Sequence, residues 1–262
     1  MRFAIVDNNR IEAQPKLQGL CPCCFKPVVA KCGEQKVWHW AHRGNTACDN
    51  WWEKETEWHR AWKNNYPTEW QEKSLFDEKT GEKHIADVCT IRNLVIEFQH
   101  SYISQKERVS REQFYKNMVW VVDGTRLQRD YTRFCKGFSD FKTIKRKGFF
   151  LVDFPNEVFP KSWLGSNVPV IFDFCGMSTD ETDKIKNILW CLLPQKDITS
   201  AIIVGLKKEC FIQLTHNRER LFIEESAEPK QRSVPKQLPG VRMKSQYYFD
   251  NCKGIWRKKR RF

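Results

Sequence analysis

Cysteines and histidines at paired spacing lie near the start of the 262-residue sequence. Cys21 and Cys24 form a C-x2-C pair, and His39 and His42 follow as an H-x2-H pair. Four such ligands can converge tetrahedrally on Zn²⁺, and the metal then replaces the core that so short a segment cannot build. We predict a closed, structural zinc site with these four ligands. The alternatives are Cys48 in place of one histidine, and Cys23 or Cys32 in place of a knuckle thiol.

Carboxylates and an amide lie on two consecutive segments with strand-like alternation. Asp87 lies in the first segment, and Glu97 and Gln99 lie in the second, where a spacing of two residues places them on one face. A three-residue loop at 91–93 would put Asp87 directly opposite Glu97, with Asn93 in the left-handed conformation that asparagine tolerates. Opposed carboxylates repel each other, and a divalent cation between them removes that repulsion. Hard oxygen ligands favour Mg²⁺ or Mn²⁺.

Two amphipathic segments supply further candidate residues. In the first, Glu55 could be an additional metal ligand, and His59 a proton-transfer group or phosphate contact. In the second, Arg111 could clamp a phosphate, and Tyr115 could stack or donate a hydrogen bond. Each pair has a structural alternative, because Glu55 and His59 fit a helix-surface pair and Tyr115 fits a packing residue beside an exposed arginine.

The elements that position these residues follow from the spacing of the apolar side chains. Residues 51–124 predict the order α-β-β-β-α-β, with helices near 52–66, where Asp49 and Asn50 are candidate caps, and near 104–118. Elsewhere the pattern predicts strands at 3–6, 148–154, 168–174, 201–206 and 209–214 and a helix at 182–193.

This order predicts a mixed α/β fold with four regions. They are a zinc-finger-like module at 1–50, an α/β core at 51–147, a strand-rich mixed α/β region at 148–228 and a basic tail at 229–262.

The positive charge is concentrated at the end of the sequence. Lysine and arginine number 45 against 32 aspartates and glutamates, a net charge of +13. Residues 230–262 hold eleven basic residues and one acidic residue. Such a segment favours nucleic acid because binding releases condensed counterions, although a solvated tail or surface anchor is the alternative. The candidate DNA-binding residues are Arg257, Lys258, Lys259, Arg260 and Arg261 here, and Lys63, Arg111 and Tyr115 in the core.

The sequence also indicates where the protein acts. Its apolar runs fall far short of the ~20 residues of a membrane span. The first residues lack the apolar stretch of a secretory signal. Five of the eleven cysteines lie in the first 48 residues beside histidines, a clustering typical of metal binding rather than of a disulfide scaffold. We expect a cytoplasmic protein without a membrane partner.

Several motifs occur together in one order. They are the Cys21–Cys24 knuckle with His39-Trp-Ala-His42, Glu55-Thr-x-x-His59-x-x-x-Lys63, Ala86-Asp87-Val88, Ile96-Glu97-Phe-Gln99-His-Ser101-x-Ile103-Ser104, Arg111-x-x-x-Tyr115 and Val119-Trp-Val-Val-Asp123. From about residue 21 to 124, this set resembles the competence protein CoiA-like nucleases. The resemblance implies a restriction-endonuclease-like PD-(D/E)XK core that hydrolyses DNA phosphodiester bonds with Mg²⁺.

The resemblance also implies roles for single residues. Asp87 and Glu97 would be Mg²⁺ ligands, Glu55 the helix carboxylate, and Gln99 would stand where the superfamily usually has a catalytic lysine. Glutamine carries no positive charge. Metal and basic neighbours must then supply more of the charge stabilisation. The neighbours available for this role are Lys63, Lys83 and Arg111.

Three functional hypotheses follow. The first is a Mg²⁺-dependent deoxyribonuclease acting in DNA uptake, recombination or defence. The alternative is a zinc-containing nucleic-acid adaptor with a degenerate nuclease site. The third is a recombination or defence partner acting through protein contacts, and a homo-oligomer is compatible with each of them.

Overall fold

The computed structural model describes residues 1–44, 48–51, 53–180, 182–194 and 199–222, and the backbone of two later strands, Tyr247–Asp250 and Ile255–Lys258. Residues up to Phe222 form one compact unit, and residues from Ile223 form a second. Among the described residues, no helix has the length and apolar character needed to cross a membrane.

The N-terminal module is a small antiparallel sheet with its own core. Its described strands are β1 (Phe3–Val6), β2 (Asn9–Glu12), β3 (Gln18–Leu20), β4 (Pro27–Lys31) and β5 (His39–His42), in the order β2-β1-β3-β4-β5. Trp40 and Val28 are buried with Cys21 in the core. The predicted strand at 3–6 is therefore confirmed.

A larger sheet organises the remainder of this unit. Within the described ranges, its strands run in the order β10-β11-β14-β13-β12-β9-β8-β7-β6. Their bounds are β6 (Gln71–Phe76), β7 (Lys83–Cys89), β8 (Val95–Gln99), β9 (Met118–Asp123), β10 (Lys142–Thr143), β11 (Phe149–Asp153), β12 (Val170–Asp173), β13 (Leu189–Leu192) and β14 (Ser200–Leu206). The later unit contains β15 (Tyr247–Asp250) and β16 (Ile255–Lys258), which pair antiparallel.

Helices cover both faces of the large sheet. They are α1 (Glu57–Lys63), α2 (Gln105–Tyr115), α3 (Gln128–Phe138), the short α4 (Pro155–Val158) and α5 (Lys208–Asn217). Trp62 of α1 and Phe211 of α5 belong to one buried cluster, whereas Tyr115 of α2 and Phe134 of α3 belong to the other. The predicted mixed α/β class and the order α-β-β-β-α-β over residues 51–124 are confirmed.

Buried hydrogen bonds fix α1 against the sheet. Trp58 and Trp62 each donate an indole N–H to Asp173 Oδ2 at 2.9 Å. Asp173 ends β12, and its other oxygen accepts the backbone N–H groups of Cys175 and Gly176. Because all these groups are satisfied within the fold, a buried carboxylate can serve as an anchor for the helix.

The first helix begins later than the periodicity predicted. Asp49 and Asn50 do not cap it. The N-cap is Thr56, whose side chain accepts from the backbone N–H of His59 while the His59 ring accepts from the backbone N–H of Thr56. This reciprocal arrangement satisfies two groups at the helix start. Glu55 therefore precedes the helix instead of lying on it.

Two later secondary-structure predictions were wrong. Of the predicted helix at 182–193, Leu189–Leu192 instead forms β13, which is buried between β12 and β14. A strand enclosed by neighbours and covered on both faces is continuously apolar, so its pattern resembles that of a buried helix. The predicted strand at 209–214 lies in α5, where Phe211 and Thr215, four residues apart, are both buried.

The large sheet runs across the position 147/148, where the sequence placed a boundary between two regions. Strand β12, from the expected strand-rich region, pairs parallel with β9 of the expected core. The strands of 148–228 therefore extend the core sheet, because β9 would otherwise present an unpaired edge.

A buried charge network holds α2 against the sheet. Arg108 Nη1 donates to Glu112 Oε1 at 2.6 Å, and both residues are buried. The same carboxylate accepts from Trp120 Nε1, Ser166 Oγ and the backbone N–H of Asn167. Glu112 thus joins α2, β9 and the loop before β12.

Replacing Arg108 with methionine should lower the free energy of unfolding by about 3–5 kcal/mol, because Glu112 is then buried without its guanidinium partner. Urea denaturation monitored by tryptophan fluorescence measures the change. The matched control is Lys142→Met, which removes the exposed ion pair with Asp153 and should cost less than about 1 kcal/mol. Equal losses in the two variants would contradict a stabilising role for the network.

Candidate functional site

Four ligand-type side chains meet in the N-terminal module. The ligand atoms of Cys21, Cys24, His42 and Cys48 all lie within 4.8 Å of one another. The sulfurs of Cys21 and Cys48 are 3.7 Å apart, and Cys24 Sγ lies 3.2 Å from His42 Nε2. Tetrahedral zinc with Zn–S bonds of about 2.3 Å places its ligand atoms roughly 3.5–3.8 Å apart. The group could therefore hold a metal such as zinc.

The surroundings of these thiols favour a bound cation. The backbone N–H of Cys23 donates to Cys21 Sγ at 3.4 Å, as it would to a thiolate. Burial and the neighbouring Cys21 raise the pKa of the Cys48 thiol, because nearby thiolates repel one another. A positive ion between the sulfurs removes this repulsion.

The structure assembles Cys48, not His39, as the fourth member. His39 and His42 both lie on β5, and residues three apart on a strand point to opposite faces of its sheet. His39 Nδ1 lies 2.8 Å from the carbonyl oxygen of Val37, outside the group. The H-x2-H spacing would have suited two ligands on a turn or helix, but here the segment is a strand.

The predicted opposition of Asp87 and Glu97 is confirmed. Val88 pairs with Ile96 and Cys89 with Val95, a register that places Asp87 opposite Glu97. The loop at 91–93 has the predicted length, with Asn93 at φ 58° and the backbone N–H of Thr90 donating to the carbonyl of Leu94.

The carboxylates end the ladder between β7 and β8. Glu97 Oε1 accepts the backbone N–H of Asp87 at 3.0 Å, and Asp87 Oδ2 accepts that of Phe98 at 3.0 Å. These N–H groups would otherwise pair with backbone carbonyls. The two strands thus separate at the point where both carboxylates lie.

A third carboxylate continues the row across the sheet. Gln71 pairs with Val88 and Lys73 with Ala86, so Glu72 of β6 lies at the level of Asp87. Glu72 has φ 46°, the left-handed region that a non-glycine residue rarely adopts. Its carboxylate also accepts the backbone N–H groups of Arg2 and Phe3, which joins the N-terminal module to this site.

Lys63 lies among these carboxylates. Its Nζ is 3.0 Å from Asp87 Oδ1, 3.3 Å from Glu55 Oε1 and 3.4 Å from Glu72 Oε1. Burial opposes its charge, but the attraction of the three carboxylates outweighs burial and raises the pKa of Lys63 above its ordinary value. The ammonium group is thus permanently charged and fixed in place, not exposed for DNA as the sequence predicted.

The site encloses a cavity of about 70 Å³ with an excess of negative charge. Among its described lining residues, six carry carboxylates and two carry lysine or arginine side chains. A water molecule occupies about 30 Å³ in the liquid, so the space suits an ion with one or two waters. The carboxylate residues are Asp49, Glu53, Glu55, Glu72, Asp87 and Glu97.

Glu97 is the most strongly perturbed of these acids. Burial and the charge of Asp87 raise its pKa to about 8, although Arg111 partly opposes the rise. Arg111 Nη1 donates to Glu97 Oε2 at 3.1 Å, and its Nη2 donates to the carbonyl of Trp51 at 2.8 Å. Arg111 is therefore a buried partner of Glu97 and not an open phosphate clamp.

Gln99 lies beside the cavity without lining it. Its Nε2 donates to Glu53 Oε2 at 2.9 Å, and its buried Oε1 has no hydrogen-bond partner within the described structure. Glu53 lines the cavity and also accepts the backbone N–H of Ser101. Gln99 therefore acts on the site through Glu53 in this arrangement.

Both ring nitrogens of His59 are engaged. Nε2 lies 3.0 Å from the carbonyl oxygen of Phe98, so this nitrogen carries the proton, and Nδ1 accepts from the backbone N–H of Thr56. The ring borders the cavity, but the geometry favours a positioning role over proton transfer.

Tyr115 is buried against Trp51 and Phe114, and its hydroxyl has no hydrogen-bond partner among the described residues. Burial and the nearby Glu97 raise its pKa. The ring is enclosed, so it cannot stack on a base from solvent.

The predicted tail residues lie largely beyond what the structure describes. Arg257 and Lys258 belong to β16, of which the backbone alone is described, and Lys259, Arg260 and Arg261 lie outside the described residues.

Sequence reasoning missed three of the cavity carboxylates: Asp49, Glu53 and Glu72. Glu72 could have been identified from the pairing of the first two predicted strands of the core, because it lies in the strand next to that of Asp87. Asp49 accepts from the backbone N–H of Ile85 at 2.7 Å and lies 2.9 Å from His84 Nδ1. It and Glu53 come from an irregular segment, where periodicity carries no signal.

Residues 6–50 match the family model described as competence protein CoiA, N-terminal domain. No curated protein and no solved structure matches the chain significantly. The match supports the N-terminal part of the resemblance, while the nuclease-like part over residues 51–124 stays a prediction.

The purified protein should contain about one zinc ion per chain. His42→Ala should lose that zinc, because it removes a ligand from the four-membered group. The matched control is His39→Ala, a histidine on the same strand that should retain it. Mass spectrometry of metal content measures both. Loss of zinc from the His39 variant alone would contradict the assigned ligand set.

Mg²⁺ or Mn²⁺ should raise the melting temperature more at pH 8 than at pH 6. Without a cation, the raised pKa of Glu97 keeps a proton on the folded chain that the unfolded chain has released, so this group's contribution to stability falls between pH 4.5 and about 8. A cation must displace that proton, and its affinity should rise about tenfold per pH unit up to about pH 8.

Differential scanning fluorimetry after dialysis, with Mg²⁺ or Mn²⁺ added back, tests this dependence without chelating zinc. Glu97→Gln should abolish the cation-induced shift at both pH values, whereas Glu78→Gln, in an exposed turn, should preserve it. If the cation-induced shift in the wild-type melting temperature did not depend on pH, competition between the cation and the Glu97 proton would be contradicted.

Proposed function

We propose that this chain is a divalent-metal-dependent deoxyribonuclease with a competence-related role in handling DNA. The observation that carries the proposal is the row of carboxylates at one level of three adjacent strands, of which Asp87 and Glu97 face one small, negatively charged cavity. Like charges at such spacing, partly withdrawn from water, repel one another, and Lys63 and Arg111 offset only part of six cavity carboxylates. The similarity of residues 6–50 to the N-terminal domain of competence protein CoiA supports the DNA-related role.

Asp87 and Glu97 are the residues that would hold Mg²⁺ or Mn²⁺, with Glu53 or Glu55 as further oxygen ligands from the segment before α1. A divalent ion bound there lowers the pKa of an attacking water and offsets the charge that develops on the leaving oxygen. The donor set, entirely of oxygen, is the type that Mg²⁺ and Mn²⁺ prefer.

Lys63 supports the proposal by placing a positive charge beside the carboxylates. Gln99 cannot provide positive charge, whereas Lys63 Nζ lies 3.0 Å from Asp87 and is held there by α1. Its raised pKa excludes a role as a base at neutral pH, so it would stabilise negative charge electrostatically. Arg111 holds Glu97 and would set the direction of that carboxylate.

The N-terminal module and the basic tail would hold the substrate. The module meets the site directly, since Glu72 accepts from Arg2 and Phe3. Residues 230–262 carry an excess of ten positive charges, which favours binding to a polyanion.

A nucleic-acid adaptor is the second candidate, and one observation favours it. Lys63 and Arg111 already neutralise part of the acidic cluster, as they would in a chain that had lost its cation. The two functions differ in one measurable property, because an adaptor binds DNA without cleaving it.

Asp87→Asn should reduce cleavage of DNA by more than about 100-fold, while DNA affinity stays within about twofold of wild type. The assay incubates circular and linear DNA, single- and double-stranded, with Mg²⁺ or Mn²⁺. The matched control, Asp7→Asn, changes an exposed turn residue at φ 48°, where asparagine is well tolerated, and should cleave normally.

Cleavage that survives both EDTA and Asp87→Asn would overturn the nuclease. A wild type that binds DNA but cleaves none of these substrates would favour the adaptor.

A further inference from the structure

A larger cavity, of about 430 Å³, lies beside the acidic one. His100, which follows β8, and Asp123, which ends β9, both line it. Ligands of open α/β sheets bind outside the carboxyl ends of parallel strands, and β8 and β9 are parallel. This volume falls in the range of about 300–1,000 Å³ typical of small-ligand sites. The acidic cavity is much smaller, at about 70 Å³.

The charge of the larger cavity is opposite to that of its neighbour. Arg126, Arg129 and Lys161 line it, are exposed and have no carboxylate partner in the described part of the chain. The acids that line it are already engaged, since Asp123 accepts from Thr125 and lies 2.7 Å from His100 Nδ1, while Asp130 pairs with Arg133. Free positive charge therefore dominates this wall.

A second groove continues from the same wall along α3, lined by three basic residues and by the acids Asp140 and Glu157. Arg129 and Arg133 line both spaces, and Lys136 follows one turn later on the helix. Leu127 at the N-cap of α3 provides no side-chain acceptor, and the acid of the first turn, Asp130, is paired with Arg133, so the backbone dipoles of that turn add to the positive charge. Helix and side chains thus favour the same ligand class, an anion.

An aromatic ring stands at the opening. Tyr102 lines the cavity and is 71 % exposed, in contrast to the enclosed Tyr115. An exposed ring beside basic side chains is the arrangement that binds unpaired bases by stacking while the phosphates are neutralised.

The two cavities share a wall. Ser101 lines the larger cavity, and its backbone N–H donates to Glu53, which lines the smaller one. A strand whose phosphate entered the carboxylate site would therefore place a neighbouring nucleotide in the larger cavity.

We propose that the larger cavity is a nucleotide subsite for a single-stranded segment of nucleic acid, with Arg126, Arg129 and Lys161 at the phosphate and Tyr102 stacked on the base. This subsite would bind the substrate of the proposed nuclease, and its role in the cell rests on that proposed function. Its binding chemistry needs no divalent ion.

The test measures binding of a fluorescein-labelled, single-stranded oligothymidylate to the full-length chain by anisotropy, without divalent ions, at several salt concentrations. The double variant Arg126→Gln/Arg129→Gln should bind more weakly, and its slope of log K against log[salt] should decrease by roughly 0.7 for each phosphate that is no longer neutralised. Tyr102→Ala should weaken binding about fivefold or more, with an unchanged slope.

Matched controls separate a subsite from general charge. Arg92→Gln/Arg218→Gln removes the same charge from exposed positions outside the cavity, and Phe76→Ala removes an aromatic ring that is 63 % exposed on β6. Both should bind as wild type does. Equal weakening by the two arginine pairs, or normal binding by the cavity variants, would overturn the subsite.

Cleavage of the same oligonucleotide with Mg²⁺ or Mn²⁺ distinguishes the two proposals. If wild type cleaves and the cavity variants bind and cleave as it does, the subsite is wrong and the nuclease stands. If wild type never cleaves but the cavity variants lose binding, the nuclease is wrong and the subsite stands.

Discussion

Three carboxylates lie at the same level of three neighbouring strands, one buried and two half-buried, and their mutual repulsion must be balanced for the chain to fold. Glu72, Asp87 and Glu97 occupy β6, β7 and β8, and their separation is set by the spacing of the sheet itself. Lys63 balances two of them and Arg111 the third. Backbone N–H groups of Asp87, Phe98, Arg2 and Phe3 supply the remaining hydrogen bonds. The strands separate where these bonds form.

This constraint determines how the surrounding elements are placed. Lys63 reaches the carboxylates because α1 is anchored to β12 through the indoles of Trp58 and Trp62 on Asp173. Arg111 reaches Glu97 from the other face, because the network around Glu112 holds α2 against β9. The two cations thus approach the row from opposite sides of the sheet. Each depends on a buried carboxylate that is itself fully hydrogen-bonded.

The N-terminal module is coupled to the same row. Its first strand donates to Glu72, and Arg10 donates to the carbonyls of Thr68 and Gln71. The conformation of Glu72, at φ 46°, is maintained by these contacts together with Lys63. Metal at the cysteine cluster would therefore stabilise a module that forms one wall of the acidic cavity, which gives the Cys/His cluster a structural connection to the chemistry.

Residues close in sequence determined much of this arrangement. The alternation around Asp87 and Glu97 and the asparagine at the end of the loop fixed a hairpin register that places the carboxylates opposite each other, because side-chain direction and loop length are local properties. Cys21 and Cys24 formed a metal-type pair for the same reason. The basic composition of residues 230–262 is likewise evident without coordinates.

Only the tertiary structure decided which distant groups complete the site. His39 and His42 point to opposite faces because their segment is a strand, and the tertiary fold places Cys48 in the group instead. Lys63 and Arg111, expected at an open surface, were enclosed because helices anchored elsewhere carry them onto the carboxylates of β6, β7 and β8. The segment Leu189–Leu192 became a strand because β12 and β14 offer hydrogen bonds on both sides. Sequence spacing encodes which face a side chain takes within one element. The partners that surround that face come from the packing of many elements, and no local pattern records them.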